Sequence, residues 1–205
     1  MYTRASHRPR QPQDVVDFMS RHMFATLVTS SLDGVVASHL PFLFDPSRGE
    51  SGTLYAHMAR ANAHGALLAA GGESLVIFQG PHAYISPSWY VDRAAAPTWD
   101  YVAVHCYGTT RLHTGNETEA NVRRLVEAME AGRPDSWSME ELPREEVDVM
   151  LRNVTSFEIS VSRIEAKFKL NQGEKPDRTR CAVQELESQG HRELAEYMKT
   201  YNGLA

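Results

Sequence analysis

The stretch Leu75-Val76-Ile77-Phe78-Gln79-Gly80-Pro81-His82-Ala83-Tyr84-Ile85-Ser86-Pro87-Ser88-Trp89-Tyr90 decides how the rest of the chain is read. Four consecutive apolar residues with β-branched members read as a buried strand. Gly80-Pro81 then reads as its break, opening a loop crowded with His, Tyr, Ser, Trp and two further prolines. Ordinary connections are polar and loose. Aromatic rings held in a proline-stiffened segment suit a wall against something flat, either a cofactor ring or a second subunit. The same residues also suit a loop pinned to its own core.

Working outward, the N-terminal side holds a helix and three strands. Pro12 to Met23 places apolar residues at 15, 18, 19 and 23, a helical period after an early proline. Phe24 to Ser31 is rich in strand formers. Asp33-Gly34 signals a hairpin turn, and Val35 to Phe44 returns as the partner strand, with Pro41 marking an edge or bulge. Thr53 to Met58 is a third strand. Arg60-Ala61-Asn62-Ala63-His64 opens a short helix that runs to about Ala70, and Ser74 to Phe78 is the fourth strand.

On the C-terminal side, Trp99 to His113 reads as a long strand. Asn116 to Ala131 is the clearest helix, with Asn116 as its cap and Val122, Leu125, Val126 and Met129 as one stripe. A second helix covers Pro143 to about Arg152, and strand alternation resumes from Phe157 to about Leu170. The polar tail from Asn171 is expected to be partly loose, with a short helix over Leu194 to Met198. Consecutive hairpins with helices between them predict an α+β fold on a mostly antiparallel β-barrel, not alternating βαβ units. Neither a GxGxxG after a strand nor a GxxxxGK[ST] is present, which leaves a Rossmann or P-loop nucleotide site without support.

The chain has 205 residues, enough for one domain with its own core. Its 42% hydrophobic and 23% charged residues are ordinary for a globular protein. No run reaches the roughly 18 apolar residues of a membrane span. The basic start (Arg4, Arg8, Arg10) lacks the apolar segment of a secretory signal, so a cytoplasmic location is expected. Cys106 and Cys181 do not make a disulfide framework, and no CxxC or HExxH supplies metal-ligand spacing. The net charge of −5 argues against a broad nucleic-acid footprint. The imbalance concentrates in residues 117–152, where ten acids face five arginines.

Three clusters carry candidate chemistry. The first is Ser38-His39-Leu40-Pro41. The second is His57-Met58-Ala59-Arg60-Ala61-Asn62, where a guanidinium at an expected helix start suits a phosphate; a solvated Arg60 with Asn62 as a plain cap is the competing reading. The third is Lys167-Phe168-Lys169-Leu170-Asn171-Gln172, whose lysines suit a phosphate, a flavin carbonyl or simple protection of a strand edge. The nine histidines match no catalytic spacing, and Ser86 and Ser88 lack a nucleophile elbow, so hydrolase chemistry gains no support.

Several strings together resemble the PaiB family, whose members are described as FMN-binding negative transcriptional regulators. They are Phe24-Ala25-Thr26-Leu27, Ser38-His39-Leu40-Pro41, the run from Thr53 to Asn62, the run from Val76 to Tyr90, the run from Pro97 to His105, and Lys167 to Gln172. The likeness covers about residues 1–180 in order, leaving 181–205 as a C-terminal tail. It implies an FMN-binding split β-barrel with peripheral helices, assembled as a homodimer with flavin at the subunit interface. By position it points to Ser38, His39, Leu40, His57, Arg60, Ala61 and Asn62 around the cofactor. Trp89, Trp99, Tyr101 and Lys169 would reach the isoalloxazine from the partner or from nearby strands.

The resemblance leaves rival functions. An FMN-dependent oxidoreductase would use the flavin itself for hydride chemistry, and a haem-binding relative would use His105 or His57 as iron ligand. Direct DNA binding has little support. The helix over 116–131 is followed by a Gly-Pro loop and an acidic helix, a poor match to a major groove. Basic segments near Arg4, Arg8 and Arg10, or around Arg178 and Arg180, are the remaining candidates for such a patch.

Overall fold

The structure, a computed structural model, describes residues 1–32 and 34–204. Asp33 of the expected hairpin turn therefore lies outside the described residues. In chain order the elements are α1 (Pro12–Arg21), β1 (Phe24–Ser31), β2 (Gly34–Pro41), β3 (Leu43–Asp45), β4 (Thr53–Ala59), α2 (His64–Ala69) and β5 (Glu73–Ile85). They continue with β6 (Thr98–Leu112), α3 (Asn116–Glu130), α4 (Arg144–Arg152), β7 (Val154–Lys169), α5 (Pro176–Ser188) and α6 (Arg192–Asn202). No helix among the described residues is long and apolar enough to cross a membrane.

The seven strands follow the order β2-β1-β5-β6-β7-β4-β3, with antiparallel pairing at β1/β2, β1/β5, β3/β4 and β4/β7. The chain divides into two compact units. The larger comprises Val16–Phe78 and His105–Ile164, and the smaller comprises Met1–Val15, Gln79–Val104 and Glu165–Ala205. Strands β5, β6 and β7 each contribute residues to both.

Barrel closure in the larger unit follows from one residue. Strands β2 and β3 stand at opposite ends of the order, yet only Phe42 separates them. Laid flat, seven strands would put the ends about 29 Å apart at the usual inter-strand spacing, whereas a single residue spans only a few ångströms. The sheet must therefore roll until its ends meet. The expected single strand from Val35 to Phe44 is thus two strands on opposite edges. Pro41, which has no N–H for a ladder, ends the first. Phe42 is fully buried, its N–H donates to the Met23 carbonyl at 2.7 Å, and its ring meets Phe78 and Phe157 edge-on, each at 6.2 Å. Leu27, Leu54, Val76 and Ile159 complete this core.

At Gly108 the barrel wall tolerates no side chain. A Cβ there would lie 2.2 Å from the Ser160 carbonyl oxygen and 2.8 Å from Ile159 Cγ2. Such a glycine marks a close approach of neighbouring backbone. Arg163 lies over the Tyr107 ring at 3.6 Å in the same unit.

The smaller unit differs most from expectation. Residues 79–85 are strand, not loop: β5 runs through Gly80-Pro81, but its buried positions change from even (Ser74 to Gly80) to odd (Ala83, Ile85) there. The loop starts only at Ser86, whose hydroxyl accepts the Ser88 N–H at 3.2 Å beside the short 3-10 turn Pro87–Trp89. The expected loose tail is a helical pair. Thr179, Ala182, Val183 and Leu186 of α5 and Leu194, Ala195 and Met198 of α6 are buried. Phe168 is fully buried and stacks on Tyr201 with ring centroids 5.3 Å apart. Arg10 covers the Tyr201 ring at 4.6 Å and donates to the Thr200 carbonyl at 3.0 Å, while the Tyr201 hydroxyl donates to Asp14 at 2.8 Å.

Gly108→Ala is expected to destabilise the protein by about 2–3 kcal/mol, because a methyl group would be forced against main chain that cannot yield. Urea unfolding followed by circular dichroism measures it. A midpoint equal to wild type would show that the strands part easily here.

Candidate functional site

In the larger unit, the end of β4 and the middle of β2 bring three polar side chains together. Ser38 Oγ lies 2.9 Å from His64 Nδ1 and receives the Asn62 side-chain amide at 3.2 Å. Asn62 Oδ1 accepts the His64 backbone N–H at 3.0 Å, a side-chain turn that leads into α2. His64 is fully buried, its Nε2 has no hydrogen-bond partner, and burial lowers its pKa, which keeps the ring neutral. Sequence spacing gave no signal for His64, because its partner Ser38 lies on another strand.

Arg60 departs from expectation. Helix α2 starts at His64 and has only six residues, so Arg60 and Ala61 lie in an exposed turn before it. The helix-dipole contribution expected at Arg60 is therefore absent. Its guanidinium donates from Nε to the Arg152 carbonyl at 2.6 Å and from one terminal nitrogen to the Val154 carbonyl at 3.0 Å. Two of its five N–H groups are thereby used, and the carbonyls orient the charge without neutralising it. Asn116 also differs: it is the first residue of α3, after Gly115, which makes no side-chain cap.

The remaining residues expected on this side separate. His39 is exposed, bonds Thr26 Oγ1 at 3.0 Å through Nδ1, and stacks on Phe24 at 6.3 Å. Leu40 is core. His57 lines an apolar cavity under α3 and α4, with its Nδ1 buried and without a partner.

The smaller unit gathers the aromatic residues. Trp99, which is 55% exposed, meets Tyr84 edge-on at 6.1 Å and His82 at 6.3 Å. Lys167 lies over the Tyr101 ring at 5.2 Å, and Trp89 is half-buried in its 3-10 turn. Lys169 is occupied: its ammonium donates to Thr98 Oγ1 and to the Trp99 carbonyl at 2.6 Å, and it lies 3.4 Å from buried Asp100. Burial raises Asp100 to about 6, against the opposing charge of Lys169 and the Asn171 N–H. In the string ending Asn171-Gln172, Asn171 takes a positive φ of 65°, and Gln172 bonds the Leu170 N–H and the Phe168 carbonyl. Those two residues end a strand.

A second polar group in the larger unit escaped the sequence reading, because its members come from five separate segments. Glu158, on β7, receives Arg111 Nε at 2.9 Å and Arg48 at 3.2 Å. His113 lies 3.4 Å from the same carboxylate and 3.0 Å from Ser156 Oγ, and Asn121 donates to Ser156 Oγ and the Ala56 carbonyl. Burial alone would raise Glu158. The Arg111 and His113 hydrogen bonds and the charges of Arg48 and Arg111 outweigh it and hold the carboxyl below its ordinary range. This network ties α3 to β4 and β7, with Asn121 Oδ1 left buried and without a partner.

Comparison with known proteins decides the family. The family model described as "Putative FMN-binding domain" matches residues 1–163. The chain belongs to that family. It is 29% identical over 202 residues to the Bacillus subtilis "Protease synthase and sporulation protein PAI 2", covering 97% of each chain. Among solved structures, the FAD and heme binding protein of Mycobacterium smegmatis superposes with a TM-score of 0.61 at 15% identity, over 82% of this chain and 76% of that one. The flavocytochrome Anf3 of Azotobacter vinelandii gives 0.60 at 12% identity, over 83% and 73%. These likenesses establish the fold, an α+β split β-barrel with peripheral helices, and the family establishes FMN as the cofactor. The cluster at Ser38 fits a flavin phosphate chemically. Ser38 and Asn62 bring a hydroxyl and an amide together there, and Arg60 supplies a guanidinium in the turn that leads to Asn62.

Two carboxylates of opposite shift give a test by pH. Asp100 binds its proton more tightly in the folded state. Its contribution is therefore full below the unfolded value near 4 and is lost as pH rises through about 6, by about 3 kcal/mol at most. Glu158 has the reverse sign, with its contribution present above the ordinary carboxylate value and lost as pH falls through its lowered one. Urea midpoints of wild type, Asp100→Asn and Glu158→Gln between pH 3 and 7 should show the two differences sloping in opposite directions. Parallel slopes would contradict both assignments.

Proposed function

We propose that this protein is a homodimeric FMN-binding regulator of the PaiB type, acting in the cytoplasm. The flavin phosphate is held by Ser38, Arg60 and Asn62. The observation that carries this reading is the Ser38–Asn62–His64 cluster just after β4, with Arg60 two residues before Asn62, in a chain whose family binds FMN. Asn62 positions the Ser38 hydroxyl, and the two backbone carbonyls hold the Arg60 guanidinium while three of its N–H groups remain for an anion. Bound FMN supplies redox chemistry of its own, including hydride transfer. The protein's part is to bind, orient and shield it.

Dimerisation is supported by the exposed group of Trp99, Tyr84 and His82, large rings that a monomer gains nothing by presenting to water. In the dimer this group, with Trp89 and Tyr101 near it in sequence, covers the isoalloxazine from the second copy. Lys169 acts behind it by fixing Trp99 through its carbonyl.

Regulation is read as flavin-dependent and indirect. Several of the candidate basic residues are already paired: Arg178 with Asp92 and Glu174, each at 2.8 Å, Arg180 with Asp177, and Arg10 with Tyr201 and Thr200. On α3 and α4, Arg123 and Arg144 are paired with Glu119, Glu140 and Asp148. The similar protein from Bacillus subtilis is named for protease synthesis and sporulation, which fits a regulatory role.

FMN titration followed by flavin fluorescence tests the phosphate site. Arg60→Ala is expected to weaken binding about tenfold or more, the scale of one charge-assisted hydrogen bond, and Ser38→Ala by a smaller factor. Sedimentation should give twice the monomer mass. Unchanged FMN affinity in both variants would place the phosphate elsewhere.

A further inference from the structure

A cavity of about 230 Å³ lies in the larger unit beneath the α3–α4 hairpin, apart from the Ser38 cluster. Val122 and Val126 of α3 form one wall. Val147, Met150 and Leu151 of α4 form another, and Trp137, Met139 and Leu142 come from the connection between the helices. The floor is His57 of β4 with Val154 of β7. None of these side chains is charged. Trp137 and Met150 are 38% and 53% exposed, which places the opening at their edge, while Met139 and Val147 are buried.

His57 contributes the one polar side chain among the aliphatic and thioether groups, aside from the indole N–H of Trp137. Its Nδ1 is buried beneath the cavity surface without a hydrogen-bond partner, which leaves the other ring nitrogen for a guest. Desolvation lowers its pKa, which keeps the ring neutral. A neutral imidazole then carries one donor and one acceptor nitrogen, and a hydroxyl group can answer either. The volume exceeds the roughly 150 Å³ that holds a benzene molecule in an apolar cavity, and it is below the usual range for drug-sized ligands. The thioethers of Met139 and Met150 and the ring of Trp137 favour an aromatic guest.

We infer that this cavity is a binding site for a small neutral aromatic alcohol of the phenol class, with His57 as its hydrogen-bonding anchor. A carboxylate or ammonium ligand is disfavoured, because the walls offer no opposite charge to offset its desolvation. The site adjoins the proposed phosphate residue Arg60, which donates to the carbonyl of the lining residue Val154, and it lies under the α3–α4 hairpin.

The test is a titration of the FMN-loaded full chain with phenol, read from the Trp137 indole resonance in a ¹H–¹⁵N spectrum assigned with Trp137→Phe. Toluene and benzoate serve as controls. Phenol should shift the resonance saturably and benzoate should not. His57→Leu should weaken phenol about three- to tenfold, the scale of one neutral hydrogen bond, and leave toluene unchanged. Val126→Phe, which fills the space, should abolish both and keeps the test decisive if the His57 variant does not fold. The proposal is overturned if phenol gives no saturable shift, if Val126→Phe retains it, or if His57→Leu binds phenol as wild type does.

Discussion

The turn of the chain at Phe42 is the constraint on which the larger unit depends. Strands at the two ends of a seven-strand order are joined through this one residue, so the sheet has to close on itself. Phe78 and Phe157 hold the joint from within. Closure also brings the middle of β2 to the end of β4, where Ser38 reaches Asn62 and His64. Those residues are 24 and 26 positions apart in sequence, and the rolled sheet makes them neighbours. The Ser38–Asn62–His64 cluster is thus a product of barrel topology, in keeping with a fold whose function lies in its site and not in the sheet itself.

Most of the barrel was legible in the chain, because strands with one buried face announce themselves by alternation. Strands β1 and β6 follow their sequence patterns closely, β4 follows in extent though it is buried on both faces, and the α3 stripe appears at helical period. The errors have physical causes. Gly80-Pro81 reads as a break in sequence, yet a strand accepts proline where no ladder N–H is required; what changes there is only the phase of burial, from Gly80 to Ala83. Helices α5 and α6 were hidden because each buries a narrow stripe under a heavily charged exterior, as Ala182, Val183 and Leu186 show.

The site was less legible than the fold. Ser38 and Asn62 do meet, but Arg60 was assigned to a helix start that lies four residues further on, at His64. His57 sits next to Met58 on β4, yet alternate residues of a strand face opposite ways. It belongs to the helix-covered side and its apolar cavity. The network around Glu158 could not have been anticipated. Arg48 reaches it from one segment and Arg111 with His113 from another, while Asn121 of α3 bonds the neighbouring Ser156, and nothing in their spacing records this.

The smaller unit is stitched from three remote pieces of chain, and this bears on how the molecule is made. Arg10, Asp14, Phe168 and Tyr201 meet around one aromatic stack although nearly the whole sequence separates the first from the last. On a ribosome, the N-terminal segment must wait until Tyr201 has emerged before it can settle. Contacts of such separation carry a high loop-closure cost and slow the search for the native state. During synthesis Arg10 and Asp14 wait longest for their partner Tyr201, whereas Phe168 and the apolar stripes of α5 and α6 are uncovered only over the last segment made.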